Sequence, residues 1–161
     1  MNIRLYIVIA LFLPLLACHK SSAPGNASAS MPSVRGMMSP RAADPAFVMR
    51  GSRVYQENCA SCHGGMAQGA PNWHVPGPDG KYPPPPLNGS GHAWHHPHAA
   101  LKLTIREGTA RLGGNMPAWK DKLSDEDIEA VIAWMQSVWP AEIYQAWLAM
   151  DEKSHRGYSP R

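Results

Sequence analysis

The chain has 161 residues, with 15 Lys and Arg against 12 Asp and Glu, so its net charge is +3 with histidine neutral. This length predicts one domain with tails, or at most two very small domains. The 16 prolines and 14 glycines argue against a regular helical bundle, while 44% hydrophobic residues exclude a wholly disordered protein. Lys and Arg form no run, so nucleic acid is not expected as a partner. Three cysteines exclude a dense disulfide scaffold.

Residues 1–17 have the features of a signal peptide: a basic residue, Arg4, and then an apolar run. The run is shorter than the ~20 residues that a membrane span needs. The Leu-Leu-Ala-Cys sequence that ends at Cys18 resembles a bacterial lipobox, which implies that Cys18 is lipidated and anchors the chain. An ordinary cleaved signal peptide and an uncleaved anchor are the alternatives.

Residues 18–43 consist mainly of Ser, Ala, Pro, Gly and Met, without a sustained hydrophobic period. Such a segment buries too little apolar surface to order itself, so we predict a flexible tether. Its methionines also allow a copper-binding tail, with Met31, Met37 and Met38 as ligands.

The pentapeptide Cys-Ala-Ser-Cys-His, with Cys59, Cys62 and His63, is the pattern that attaches c-type haem. Each thiol can add to one vinyl group of the porphyrin, and the histidine becomes the proximal iron ligand. A thioredoxin-like redox pair would need a preceding strand, and no strand pattern precedes Cys59. A four-ligand zinc site would need a second pair of cysteines.

Helix signals stand on both sides of this motif. Asp44 and Pro45 are typical of a helix start, and Val54 and Tyr55 follow on one face. Ser124 with the acids after it predicts the start of a second helix. The apolar stripe of that helix consists of Ile128, Val131, Ile132, Met135 and Val138, before Pro140.

Together these features resemble the class I c-type cytochromes over residues 44–140. The resemblance implies an all-α cytochrome c fold, with short helices around one covalently bound haem c and with crossed N- and C-terminal helices. In that family a glycine of the first helix packs against an aromatic residue of the last. Here the corresponding pair is Gly51 and Trp134.

Four prolines precede Leu87, Asn88 and Gly89, which gives the P-x-L-x-G pattern of the same family. The resemblance implies that the Pro85 carbonyl accepts a hydrogen bond from His63, and that Leu87 packs on the porphyrin. An acceptor of this kind fixes the tautomer of a ligating histidine. A polyproline spacer or peptide ligand is the alternative.

Met116 lies in a loop with Gly and Pro residues, before the last predicted helix of the domain, where the family places its second axial ligand. A thioether is a soft ligand that raises the reduction potential. The alternative is that Met116 fills space in the core. Met66 is the other methionine near the haem motif, but it follows His63 too closely to reach the opposite face easily.

Four histidines, His92, His95, His96 and His98, begin a short predicted helix that includes Pro97. We interpret them as structural cover for the haem edge. Copper or zinc binding and a bis-histidine haem are the alternatives. After Pro140, residues 141–161 form a C-terminal extension, and hydrophobic residues at helical spacing favour a helix there.

These features predict a monohaem electron carrier on the periplasmic side of a bacterial membrane, anchored by lipid, or else soluble in the periplasm. Its expected partners are redox proteins of the periplasm or membrane, and the lipid membrane itself. No enzyme activity is expected, because two axial ligands leave no open iron site and no other catalytic grouping is visible. A gas- or peroxide-binding protein with a labile distal ligand is one alternative. A copper-handling protein with a redox haem is the other.

Overall fold

Helices are the only regular elements between residues 44 and 157, the part of the chain that this computed structural model describes. The prediction of an all-α fold is therefore confirmed. The predicted signal peptide 1–17, the lipidation residue Cys18 and the tether 18–43 lie outside the described residues. In chain order the elements are α1 (Pro45–Asn58), α2 (Ala60–His63), a 3₁₀ turn (Ala93–His95), α3 (His98–Glu107), a second 3₁₀ turn (Ala110–Leu112), α4 (Asp125–Ser137) and α5 (Ala141–Gly157).

The two long helices of the predicted domain begin at the predicted capping residues. At α1 the Asp44 carboxylate accepts the backbone N–H of Ala46 at 2.9 Å, and Pro45 is the first helical residue. At α4 the Ser124 hydroxyl accepts the backbone N–H of Asp127 at 3.1 Å, and the Asp127 carboxylate accepts the N–H of Ser124 at 3.3 Å. This reciprocal pair is a capping box, which satisfies N–H groups that a helix start leaves without partners.

Helices α1 and α4 cross at a glycine. A Cβ atom added to Gly51 would overlap the carbonyl oxygen of Ala130 and would lie 2.9 Å from the Cβ atom of Trp134. Next to this contact the rings of Tyr55 and Trp134 lie with their centroids 4.2 Å apart. The predicted pairing of Gly51 with Trp134 is confirmed, and Ala130 makes the closest approach.

Charged side chains connect neighbouring helices at the surface. Arg50 on α1 lies 2.9 Å from the Asp127 carboxylate on α4. His98 and Lys102 on α3 lie 2.7 and 2.8 Å from the Glu129 carboxylate on α4. Burial alone would raise the pKa of Glu129, but Lys102 and His98 outweigh burial and hold this pKa below its ordinary value. Because these groups are partly exposed, water screens the pairs, and each contributes little to stability.

The C-terminal extension forms α5 and packs into the main core. Tyr144 and Trp147 of α5 are fully buried and belong to the same hydrophobic cluster as Leu101 of α3 and Ile128 of α4. The carboxylate of Asp151 accepts the first backbone N–H of α3, from His98, at 2.7 Å. None of the helices within residues 44–157 combines the length and apolar character needed to cross a membrane.

Candidate haem-binding site

The Cys-x-x-Cys-His segment consists of Cys59, which lies at the junction of α1 and α2, and the four residues of α2. Cys59 lies between the two helices, and its carbonyl accepts the backbone N–H groups of Cys62 at 3.1 Å and of His63 at 2.9 Å. Cys62 is exposed, Cys59 is half-buried, and His63 is buried. Both cysteines are free thiols. One helical turn therefore presents two thiols and one buried imidazole together.

The imidazole of His63 has a defined tautomer. Its Nδ1 lies 2.8 Å from the carbonyl oxygen of Pro85. Because a carbonyl oxygen can only accept, Nδ1 must donate, and Nε2 keeps a free lone pair. Burial lowers the pKa of His63, and the Pro85 carbonyl offsets part of this effect. The ring is therefore held neutral, which is the form that binds a metal ion.

The proline-rich segment is bonded to the turn that follows His63. The N–H of Ala70 donates to the Pro84 carbonyl at 2.8 Å, and the N–H of Leu87 donates to the Ala67 carbonyl at 2.8 Å. Gly69, with a φ of +72°, makes this approach possible, because a Cβ atom there would lie 2.7 Å from the carbonyl carbon of Pro85. The segment is thus part of the site, and we call residues 84–88 the proximal strip.

Tyr55 connects α1 to the same turn. Its hydroxyl donates to the carbonyl of Gly64 at 2.6 Å, directly after the haem-motif histidine. Burial raises the pKa of Tyr55 to about 12, so this donor keeps its proton throughout the physiological range. The sequence pattern placed Tyr55 on the packed face of α1, but it gave no sign of this hydrogen bond.

The loop of Met116 is fixed to the end of α3 through Thr109. The backbone N–H of Met116 donates to the Thr109 hydroxyl at 3.0 Å, and the N–H of Thr109 donates to the Met116 carbonyl at 3.0 Å. The Thr109 carbonyl also accepts the N–H of Gly114 at 2.9 Å. Met116 is half-buried, whereas Met66 is 81% exposed. Of these two methionines, only Met116 stands in a constrained and partly enclosed position.

The histidines after Gly91 make different contacts: the rings of His92 and His96 lie with centroids 5.6 Å apart, whereas His95 and His98 contact other residues. His92 stacks on Trp73 with a centroid separation of 5.6 Å, and His95 stacks on Trp94 at 3.7 Å. Burial lowers the pKa of His92, and the neighbouring imidazoles lower it further. His98 instead bonds to Glu129. Within residues 44–157, no three His, Cys, Asp or Glu side chains are grouped so that they could hold a metal ion.

The Cys59 thiol lacks the electrostatics of a redox-active nucleophile. Burial, together with the smaller effect of the neighbouring Cys62, raises the pKa of the Cys59 thiol to about 11. A dithiol that exchanges with disulfides needs the opposite shift, because the thiolate is the nucleophile. The thioredoxin-like alternative is therefore disfavoured by the charge environment as well as by the absence of a strand among residues 44–157.

The donor set fits a covalently bound haem. Two free thiols lie within one turn, a neutral imidazole beside them has its outer nitrogen occupied by Pro85, and a thioether lies in a loop tied to α3. A c-type haem is attached through two cysteine thiols, and imidazole and thioether groups are the ligands of its iron. A helical domain with this turn is a c-type cytochrome.

Comparison with known proteins supports this class. Residues 46–135 match the family described as cytochrome c oxidase, cbb3-type, subunit III. The match covers more than half of the chain, which therefore belongs to this family. Membership of this family confirms the prediction of covalently bound haem c and supports electron transfer by a haem cytochrome. Helix α5 lies beyond the matched residues.

Three relatives are subunits of cbb3-type cytochrome c oxidases. The CcoP subunit of Azospirillum sp. (strain B510) is 37% identical over 98 residues, which are 61% of this chain and 31% of the relative. CcoP of Azospirillum brasilense is 34% identical over 98 residues (61% and 30%), and FixP of Bradyrhizobium sp. (strain ORS 278) is 34% identical over 88 residues (55% and 26%). The chain thus spans about a third of the length of the curated relatives it matches. No solved structure matches it.

Proposed function

We propose that this chain is a monohaem electron carrier in which His63 and Met116 are the two axial ligands of the iron. Cys59 and Cys62 hold the porphyrin through thioethers. The observation that carries the proposal is the 2.8 Å hydrogen bond between His63 Nδ1 and the Pro85 carbonyl. This bond leaves Nε2 of a buried, neutral imidazole available to a metal, beside the two thiols that would attach its porphyrin.

Each residue has a distinct task in this proposal. The haem, when bound, supplies a one-electron couple between ferrous and ferric iron. Pro85 orients His63, and Leu87 packs on the porphyrin as the family resemblance implies. The Thr109 contacts keep the Met116 loop in place, so that the ligand set need not rearrange between oxidation states. Small rearrangement favours electron transfer over catalysis at the iron.

We further propose that the chain works at the periplasmic side of a bacterial membrane. Residues 1–17 would direct export, Cys18 would carry the lipid, and 18–43 would link this anchor to the cytochrome domain, 44–140, with its extension, 141–161. The relatives are subunits of cbb3-type cytochrome c oxidases. Their names favour an oxidase of this type, or another membrane redox protein, as the partner. In this role the chain delivers electrons, and the partner performs the chemistry.

The gas- or peroxide-binding alternative requires an open or easily displaced distal ligand. The two hydrogen bonds between Met116 and Thr109, one accepted by the Thr109 hydroxyl and one donated by its backbone N–H, favour a retained ligand. The copper-handling alternative requires converging ligands, but His92, His95 and His98 have separate aromatic or carboxylate contacts. These contacts favour the electron carrier over both alternatives.

A redox titration of the protein, produced with covalent haem attachment, tests the proposal. We expect one haem for each chain and a reversible one-electron curve that is the same in both directions. We also expect no consumption of hydrogen peroxide above that of a His/Met-ligated cytochrome c measured alongside it. Sustained peroxide turnover, or a chain that takes up no covalent haem in the presence of the attachment machinery, would contradict the proposed function.

A further inference from the structure

Trp139 is a buried residue between α4 and α5 that contacts the proximal strip. Its side chain is 1% exposed, and its indole Nε1–H donates to the carbonyl of Leu87 at 2.8 Å. It lies outside the residues 46–135 that match the family. The contact is therefore made by a residue just beyond the matched segment.

Hydrogen bonds hold both backbone groups of Leu87, its N–H and its carbonyl. The N–H of Leu87 donates to the carbonyl of Ala67, in the turn that follows His63. The carbonyl of Leu87 accepts the indole N–H of Trp139. Pro85, which accepts from His63, lies only two residues earlier in the same strip. Since two proline rings restrict the backbone between these points, the position of the Leu87 carbonyl is coupled to that of the Pro85 carbonyl.

Packing reinforces this coupling. A Cβ atom on Gly89, which has a φ of +92°, would lie 2.8 Å from Cδ of Pro140 and 3.4 Å from Cδ1 of Trp139. The chain just after Leu87 therefore lies directly against the Trp139–Pro140 pair. The Trp139 ring also meets the Trp147 ring of α5 edge to face, with centroids 5.9 Å apart, and a phenylalanine at position 147 would keep an aromatic ring on that side. The strip has little room to move while Trp139 is in place.

We propose that Trp139 is a positioning residue that sets the hydrogen bond between Pro85 and His63 and so adjusts the reduction potential. The inference rests on the proposed function, since it requires His63 to ligate the haem iron. A firmly held acceptor increases the electron donation of a ligating histidine, which stabilises ferric iron. Loosening the strip weakens this effect, and the ferrous form becomes easier to reach.

The test compares the holo forms of Trp139→Phe and Trp147→Phe by redox titration. Trp147 is an equally buried indole whose Nε1–H donates to a backbone carbonyl at 3.0 Å, but that carbonyl belongs to His96, outside the proximal strip. Both variants lose one indole–carbonyl hydrogen bond and a similar volume. For Trp139→Phe we expect the equilibrium constant for reduction to rise about threefold. This change is a rise of ~28 mV, because tenfold is 59 mV for one electron. The effect is modest because Trp139 acts on His63 only through the strip, whereas losing a direct outer-shell partner typically costs about tenfold or more in metal affinity or activity. For Trp147→Phe we expect no change.

A second replacement separates the hydrogen bond from packing. Benzothienylalanine at position 139 keeps the indole shape but has sulfur in place of N–H, so it leaves the core filled even if phenylalanine prevents folding. This residue should raise the reduction potential as much as Trp139→Phe does. It should also weaken the nuclear magnetic resonance signal of the His63 Nδ1–H proton, because that proton exchanges faster with water. If the potential stays at the wild-type value, or if Trp147→Phe shifts it equally, Trp139 has no positioning role and the proposed function stands. A wild-type protein without covalent haem overturns both proposals.

Discussion

Replacing Gly51 with alanine is expected to lower the free energy of unfolding by about 2 kcal/mol, and replacing it with valine by more than about 3 kcal/mol. The added Cβ atom would overlap the backbone carbonyl of Ala130 and press on Trp134, so α1 and α4 must move apart. Alanine also favours a helix over glycine by about 1 kcal/mol. We expect a net loss of stability because the steric effect of the added Cβ atom is larger than this gain in helix propensity.

Thermal unfolding of the holo protein, followed by circular dichroism and haem absorbance, measures this loss. For alanine at position 51 we expect a melting temperature roughly 8 °C lower, given the size of the domain. Gly65→Ala is the matched control, because a Cβ atom there meets nothing within 4 Å. Equal melting temperatures for Gly51→Ala and the wild type would show that the helices do not cross as closely as described.

Replacing Met116 with leucine is expected to have the largest effect on the haem. Leucine keeps the apolar volume but offers no lone pair to iron, so the sixth position opens. We expect a high-spin spectrum, rapid binding of carbon monoxide, and a potential lower by ~0.1 V or more, within the roughly 0.8 V that axial ligands span. The reason for the lower potential is that a thioether ligand favours the ferrous state.

The control for this variant is Met66→Leu. Met66 is near the haem motif in sequence, but it is 81% exposed and lies outside the Thr109-anchored loop. Its replacement should leave the spectrum, the potential and the lack of carbon monoxide binding unchanged. If instead Met66→Leu opens the iron and Met116→Leu does not, the assignment of the distal ligand is wrong.

The helix ends were predictable because each has a side-chain signature, whereas the proximal hydrogen bond was predicted from the family resemblance. A capping residue such as Asp44 or Ser124 acts through its own side chain, so its residue type predicts its role. The histidine of a Cys-x-x-Cys-His motif is equally recognisable, and the resemblance to class I cytochromes implied Pro85 as its partner. The glycine at position 51 was informative because close helix approach excludes other residues.

Other contacts were invisible in the sequence because they use backbone groups whose partners are set by tertiary structure. The carbonyls of Ala67 and Leu87 accept the bonds that hold the proximal strip, and any residue type could supply them. The hydroxyl of Thr109 holds the Met116 loop in place, but nothing in the sequence distinguishes this threonine from other loop threonines. The role of Trp139 depends on how α5 folds back, which helical periodicity does not specify.

The measurement that tests the central claim most directly is the absorption spectrum of the wild-type holo protein, oxidised and then reduced, with and without carbon monoxide. Ligation by His63 and Met116 predicts a low-spin spectrum, a weak far-red band that disappears on reduction, and no response to carbon monoxide. A high-spin spectrum, or ready binding of carbon monoxide, would contradict the account, because the iron would then have an open or labile position.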